Sequence, residues 1–210
     1  PNKVINEVMD AYKHGKEGIN VTKKDILESM KYIPGVYIPD VTDDDQIVNM
    51  VYEDINEEQY IKNYVCPSIP VMDNKSKITL TKGCTRNCIN CSNRYIYGNM
   101  QNISVDKATI KAQKLMDTTG NLDIMLDSNC HLDYTGYPEI IYRLKDIEKP
   151  KMKTVSFMDI RLDNDNLWAL KHLDIKGNYP TIMVGAPTEA LREKIGFGMK
   201  EEDVLKESEI

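Results

Sequence analysis

From Ile78 onward the chain alternates short β-branched runs with helical stretches, and this alternation limits the possible folds more than any other feature. Ile78-Thr79-Leu80-Thr81 reads as a buried strand. Ser104 caps a helix running through Met116, with Val105, Ala108, Ala112 and Leu115 on its apolar face and Gly120 as its stop. Leu122–Leu126, Met152–Met158 and Thr181–Val184 read as further strands. Helices are expected around Pro138–Ile147, over Asn164–Leu173 and from Thr188 to Ile195. Strands separated by whole helices pair in parallel, because a parallel neighbour needs a long crossover whereas an antiparallel one needs only a tight turn. The expected class is α/β, its sheet either open or closed into a barrel.

The part before this region is different. Residues 1–33 read as helical, with Val4, Ile5, Val8 and Met9 on one stripe. Thr22 caps a second segment carrying Ile26, Leu27 and Met30, and Gly15 and Gly18 fall between the two. Ile33-Pro34-Gly35 marks a turn, and the stretch from Asp40 to Asn74 is weakly patterned, with an acidic run at Asp43–Asp45 that reads as solvated loop. The expected division is residues 1–75 as a helical segment and connector, and 76–210 as the α/β domain. With 41% hydrophobic and 29% charged residues the chain can bury a core. No apolar run approaches the roughly 18 residues of a membrane span, and Pro1-Asn2-Lys3-Val4 lacks the apolar core of a secretory signal. The expected location is the cytoplasm. A net charge of −6 gives no electrostatic reason to expect nucleic acid as a partner.

Five cysteines stand at 66, 84, 88, 91 and 130. An odd number with three inside one short stretch makes a poor disulfide framework and a good metal site in a reducing compartment. In Gly83-Cys84-Thr85-Arg86-Asn87-Cys88-Ile89-Asn90-Cys91, three thiolates of one loop suit a cubane cluster that leaves its fourth iron without a protein ligand. The loop follows the first strand of the alternating region, which puts it at the carboxyl end of a parallel sheet, where such folds place their sites. The competing reading of the same residues is a zinc site completed by Cys130 or His131. Zinc motifs usually pair one C-x2-C with a second close pair, which this sequence lacks.

A C-x3-C-x2-C loop directly after a strand resembles the signature of the radical S-adenosylmethionine superfamily. From Ile33 to about Lys206 the chain resembles the subgroup in which a radical domain follows a cobalamin-binding domain. The pieces that carry the likeness are Ile33-Pro34-Gly35-Val36-Tyr37, Gly83-Cys84-Thr85-Arg86, Tyr95-Ile96-Tyr97, Thr188-Glu189-Ala190-Leu191-Arg192 and Lys200-Glu201-Glu202-Asp203. The resemblance implies a partial (β/α)6 barrel whose last two strands lie beyond Ile210. It also implies a 4Fe–4S cluster on Cys84, Cys88 and Cys91, and S-adenosylmethionine chelated to the open iron and cleaved to a 5′-deoxyadenosyl radical. An electron donor such as ferredoxin or flavodoxin is implied as a partner. Cobalamin would come from a unit preceding Pro1 or from a partner chain.

The same resemblance assigns cofactor contacts. Asp127 and Ser128, at the end of the second strand, match positions that meet the amino group of S-adenosylmethionine. Arg161, after the third, matches an arginine that forks onto its carboxylate. Thr188, after the fourth, matches a serine that contacts the ribose, and Asn90 stands where an aromatic residue commonly covers the adenine. Gly185 replaces a polar ribose contact, and Asn90 lacks stacking area, for which Ile89 or Tyr95 would have to substitute. Each residue also has an ordinary reading: loop cap for Asp127, ion pair with Asp163 or Asp165 for Arg161, helix cap for Thr188. Cys130-His131 reads as a loop pair, Cys66 as packing, and His14 and His172 as surface residues. The expected function is a radical enzyme acting on an unknown substrate, with cobalamin-dependent methyl transfer as its implied form. The alternative is a non-catalytic iron–sulfur protein for electron transfer or assembly, with a degenerate cofactor pocket. Methylthiolation of tRNA or protein ranks below both, because it normally brings a second cluster domain.

Overall fold

A computed structural model describes residues 2–39, 41–42, 54–56, 68–69, 75–129, 131–152, 154–157, 159–161 and 181–207. The chain divides into two compact units, Pro1–Asp54 and Ile55–Ile210. The Asp43–Asp45 run, Cys66, Cys130, Met158 and the helix expected over Asn164–Leu173 with His172 lie outside the described residues.

In the first unit helices α1 (Asn2–Glu17) and α2 (Lys23–Met30) are joined by a turn in which Asn20 takes φ 63°, a left-handed conformation that asparagine tolerates better than most residues. Thr22 starts α2 with a reciprocal capping box. Its amide donates to Asp25 Oδ2 at 2.8 Å, and the Asp25 amide donates back to Thr22 Oγ1 at 3.2 Å. Ile26, Met30 and Ile38 form a small core against which Val8, Ala11 and Leu27 pack. The stripe expected on α1 is therefore rotated: Val8 faces the core, whereas Ile5 and Met9 are exposed. Gly15 lies inside α1 rather than between the helices. A Cβ there would stand 2.5 Å from Ile26 Cγ1, so the helices approach at a residue without a side chain.

The second unit is organised by a parallel three-stranded sheet in the order β1 (Ser76–Thr79), β4 (Asp123–Asp127), β5 (Thr154–Phe157). Helix α4 (Val105–Thr119) makes the first crossover and α5 (Glu139–Lys145) the second. Ser104 caps α4 by accepting the Lys107 amide, and Gly120 closes it at φ 71° with its amide on the Met116 carbonyl at 2.9 Å. Ile78, Ile124 and Leu126 alternate onto the helix-facing side and join Ala108, Ala112, Ile140 and Leu144 in one core. Each large side chain buried there contributes about 1.5–3 kcal/mol. Parallel strands added one beside the last are common to open sheets and to the opening strands of a barrel.

The first strand departs from expectation in a way that shapes the site. It begins at Ser76, and Leu80 still donates to the Asp127 carbonyl at 2.7 Å. The chain then leaves the sheet. β2 (Thr81–Lys82) pairs antiparallel with β3 (Gln101–Asn102), closing residues 83–100 into an excursion tied at its base. Short helix α3 (Asn93–Tyr97) lies within it. Further on, β6 (Asp159–Ile160) pairs in parallel with β7 (Thr181–Ile182), a shorter strand than expected. Helices α6 (Glu189–Lys194) and α7 (Glu201–Glu207) follow. No helix among the described residues is long and apolar enough to cross a membrane.

Candidate metal centre and cofactor site

The cysteine loop leaves β2 through Gly83, which has φ 77° and a Cα so close to the Asn99 carbonyl that any Cβ would overlap it. Cys84, Cys88 and Cys91 are half-buried thiols. The Arg86 amide donates to Cys84 Sγ at 3.4 Å, and the Cys91 amide donates to the Cys88 carbonyl at 3.2 Å, which coils the loop back on itself. Burial pushes the Cys88 thiol up, and the neighbouring Cys84 adds to this. Arg161 pulls it down, and Cys91 raises it again. The thiols thus stand within electrostatic reach of one another and of a guanidinium. Among the described residues no three His, Cys, Asp or Glu side chains converge tightly enough to hold a single metal ion. A cubane cluster asks for something else: one thiolate for each of three separate irons, spread around the cube. Three thiols on one short loop meet that donor requirement.

Two segments fix the loop from outside. Asp133, on a single 3-10 turn (His131–Asp133) after β4, accepts a hydrogen bond from the Thr85 hydroxyl and pairs with Arg86 Nε at 3.9 Å. Asn129 Nδ2 donates to the Gly83 carbonyl at 3.3 Å. From the other side comes the strap Ile195–Met199 between α6 and α7. The Ile89 amide donates to the Ile195 carbonyl at 2.9 Å, and Cys88 Sγ to the Gly196 carbonyl at 3.5 Å.

The strap's shape follows from how α6 ends. Gly196 at φ 75° donates to the Glu193 carbonyl at 3.0 Å, and the Phe197 amide donates to the Arg192 carbonyl at 2.9 Å, the two bonds of a Schellman motif. A Cβ on Gly196 would also stand 3.0 Å from the Asn87 carbonyl oxygen. Arg192, 1% exposed, locks the far end. Its Nε donates to the Met199 carbonyl at 2.7 Å, Nη1 to Ala186 at 3.0 Å, and Nη2 to Glu201 Oε2 at 2.6 Å.

Of the residues expected to hold S-adenosylmethionine, Arg161 is the one placed beside the cysteine loop with capacity to spare. All three of its guanidinium nitrogens are buried and none has a hydrogen-bond partner among the described residues. Its Cζ lies 4.7 Å from the centre of the Phe197 ring. The other positions have local partners. Asp127 stands in register with Thr79 on the sheet face away from α4 and α5, and its carboxylate takes Lys77 Nζ at 3.1 Å and the Thr79 hydroxyl at 3.3 Å. Ser128 is buried with its hydroxyl on that of Thr81. Thr188 is the N-cap of α6, accepting the Leu191 amide at 3.4 Å. Asn90 is exposed in the loop's last turn. Gly185, where a polar residue was expected, has φ 78°, and a Cβ there would stand 2.7 Å from the Phe197 ring. That space belongs to the aromatic side chain.

Asp133, Arg192 and Phe197 were not among the expected site residues. The glycine pair around Phe197 was a readable turn signal, but nothing local in the sequence points Asp133 or Arg192 toward the loop. No protein-family model matches this chain, and no curated protein matches it by sequence.

Proposed function

We propose that this chain is a radical S-adenosylmethionine enzyme, with Cys84, Cys88 and Cys91 holding a 4Fe–4S cluster. The observation that carries the reading is the buried Arg161 guanidinium, without a hydrogen-bond partner among the described residues, beside a loop of three thiols. Burying that much donor capacity is costly unless an anion meets it. The carboxylate of an amino-acid ligand suits a planar fork well. When bound, the cluster supplies the electron for reductive cleavage of S-adenosylmethionine.

The chain's own residues then have distinct tasks. The three cysteines ligate, each losing its proton on binding, so the burial that raises the Cys88 thiol makes loading favour higher pH. Asp133 and the strap hold the loop in shape, and Arg161 orients the carboxylate. Ser128 would reach the ligand's amino group through its backbone carbonyl, since its hydroxyl is on Thr81, whereas Asp127 has its carboxylate on Lys77 and Thr79 and its carbonyl on the Leu80 amide. An electron donor of the ferredoxin or flavodoxin kind, a cytoplasmic location and methyl transfer from cobalamin held outside this chain complete the proposal.

A second reading is favoured by the engaged Asp127 carboxylate and by Thr188 acting as a cap. In it the chain keeps the cluster but has a degenerate pocket and serves electron transfer or assembly. Anaerobic reconstitution with iron and sulfide, reduction, and electron paramagnetic resonance with and without S-adenosylmethionine separate the two. A reduced-cluster signal that shifts on adding S-adenosylmethionine is the expected result. An unmoved signal favours the second reading, and failure to form any cluster refutes both.

A further inference from the structure

We propose that Phe197 is a positioning residue of this site, holding the Arg161 guanidinium by its aromatic face so that the fork stays open toward an anion beside Gly198. The ligand named for it, the carboxylate of S-adenosylmethionine, rests on the function proposed above, whereas the positioning itself rests on geometry.

A buried arginine normally finds acceptors that fix its plane. Arg161 has none at Nε, Nη1 or Nη2 among the described residues, so another contact must orient it. The Phe197 ring lies 4.7 Å from Cζ, within the range where a guanidinium is attracted to an aromatic face. A stacked arginine keeps its in-plane donors available, whereas an ion pair would consume them. The ring is itself held. Its amide is tied to Arg192, and its side chain lies on Gly185, where a Cβ would intrude at 2.7 Å. Gly185 therefore trades a side-chain contact of its own for room beneath the ring.

Gly198 completes the arrangement. A Cβ placed there would have Arg161 Nη2 at 3.9 Å and Arg86 Nη1 at 4.0 Å as its nearest neighbours, so two guanidinium groups flank a position without a side chain. With φ 66° the residue is held in a conformation natural to glycine. Arg86 is partly neutralised by Asp133, and Arg161 is left as the principal cation. The strap's Schellman geometry, its aromatic residue and its second glycine thus act as one device.

The test compares Phe197→Leu, which keeps apolar bulk without an aromatic face, with Phe197→Trp, which keeps the face. In the purified chain, nuclear magnetic resonance of the Arg161 side chain should show ring-current shifts that vanish in F197L and persist in F197W. In the reconstituted protein, F197L should weaken S-adenosylmethionine binding about 10-fold, or about 1.4 kcal/mol. F197W should stay within about 3-fold of the parent, and Arg161→Gln combined with F197L should be no weaker than R161Q alone, as expected for residues acting through one contact. A reduced cluster should still form in all of them, so that ligand binding can be compared. Equal binding by the parent and F197L, or additive losses in the double variant, overturns the proposal. If the parent assembles a cluster yet binds no S-adenosylmethionine, the function proposed above fails. The ring-current comparison then decides the positioning role: shifts lost in F197L support it, and shifts absent from the parent overturn it.

Discussion

Replacing Arg192 with methionine removes three directed hydrogen bonds while keeping much of the side chain's volume, and the cost can be worked out contact by contact. Two bonds go to main-chain carbonyls, Met199 at 2.7 Å and Ala186 at 3.0 Å, from a side chain only 1% exposed. Hydrogen bonds from a charged donor contribute about 1.5–3 kcal/mol each, and their loss here leaves two main-chain acceptors without that donor. The third bond, to Glu201 at 2.6 Å, is worth less because the Glu201 side chain is 55% exposed. Against these losses stand relief from burying a cation and some apolar burial by methionine. The two bonds to carbonyls, less these reliefs, give a net expectation of about 3–5 kcal/mol. In a unit of this size each kcal/mol moves the melting temperature by about 2–4 °C, so Tm should fall by roughly 6–20 °C. If only the strap melts, Tm holds, but the Ile89 and Phe197 amides lose hydrogen-exchange protection, since their acceptors are the Ile195 and Arg192 carbonyls. Circular dichroism melting and amide exchange read the two cases. A variant with unchanged Tm and unchanged protection of both amides would refute the view that Arg192 latches the strap.

Three further expectations are more local. Asp133→Ala removes the acceptor for Thr85 and the partner of Arg86, so a reconstituted cluster should bleach several-fold faster under a chelator, with global stability lowered by only about 1 kcal/mol. Thr22→Ala abolishes the cap of α2 and should cost about 1 kcal/mol. The Thr22 hydroxyl and then its amide hold the Asp25 carboxyl below its ordinary 3.8, so the capping contribution in the parent is present above that value and fades as pH falls through the depressed one. Carboxyl titration by nuclear magnetic resonance should find Asp25 raised toward 3.8 in the variant but still below it, because the residue-22 amide remains as a donor. Burial, and secondarily Glu139, pushes the Tyr134 hydroxyl from 10.0 up to about 12, and it donates to the Ile103 carbonyl at 2.9 Å. The unfolded chain releases this proton first, so the associated stability is complete below pH 10.0 and lost as pH rises toward about 12. Tyr134→Phe should cost about 1 kcal/mol at neutral pH and flatten that alkaline loss, as read by unfolding at a series of pH values.

The sequence alone determined the features set by nearest neighbours along the chain. Thr22, Ser104, Gly120 and Thr188 mark helix ends because caps are made within a few residues, and all four are caps in the structure. Ile78, Ile124 and Leu126 announce buried strands by composition, and the spacing of Cys84, Cys88 and Cys91 carries the expectation of a metal site. What the sequence could not decide is who stands opposite whom. The strand expected at Ile78–Thr81 breaks after Leu80 because Thr81 and Lys82 find partners at Asn102 and Gln101 across an excursion, a pairing with no local signal. Asp127 was legible as a carboxylate at a strand end, yet only the register that sets it against Thr79, with Lys77 alongside, gives its oxygens their partners. Gly185 reads along the sequence as a missing contact, whereas in the structure its space belongs to Phe197. The cysteine loop itself is shaped by Asp133 and by the strap at Ile195–Met199, both far along the chain. Long-range packing alone brings such segments together, and it leaves Arg161 beside the thiols with donors that no described residue takes up.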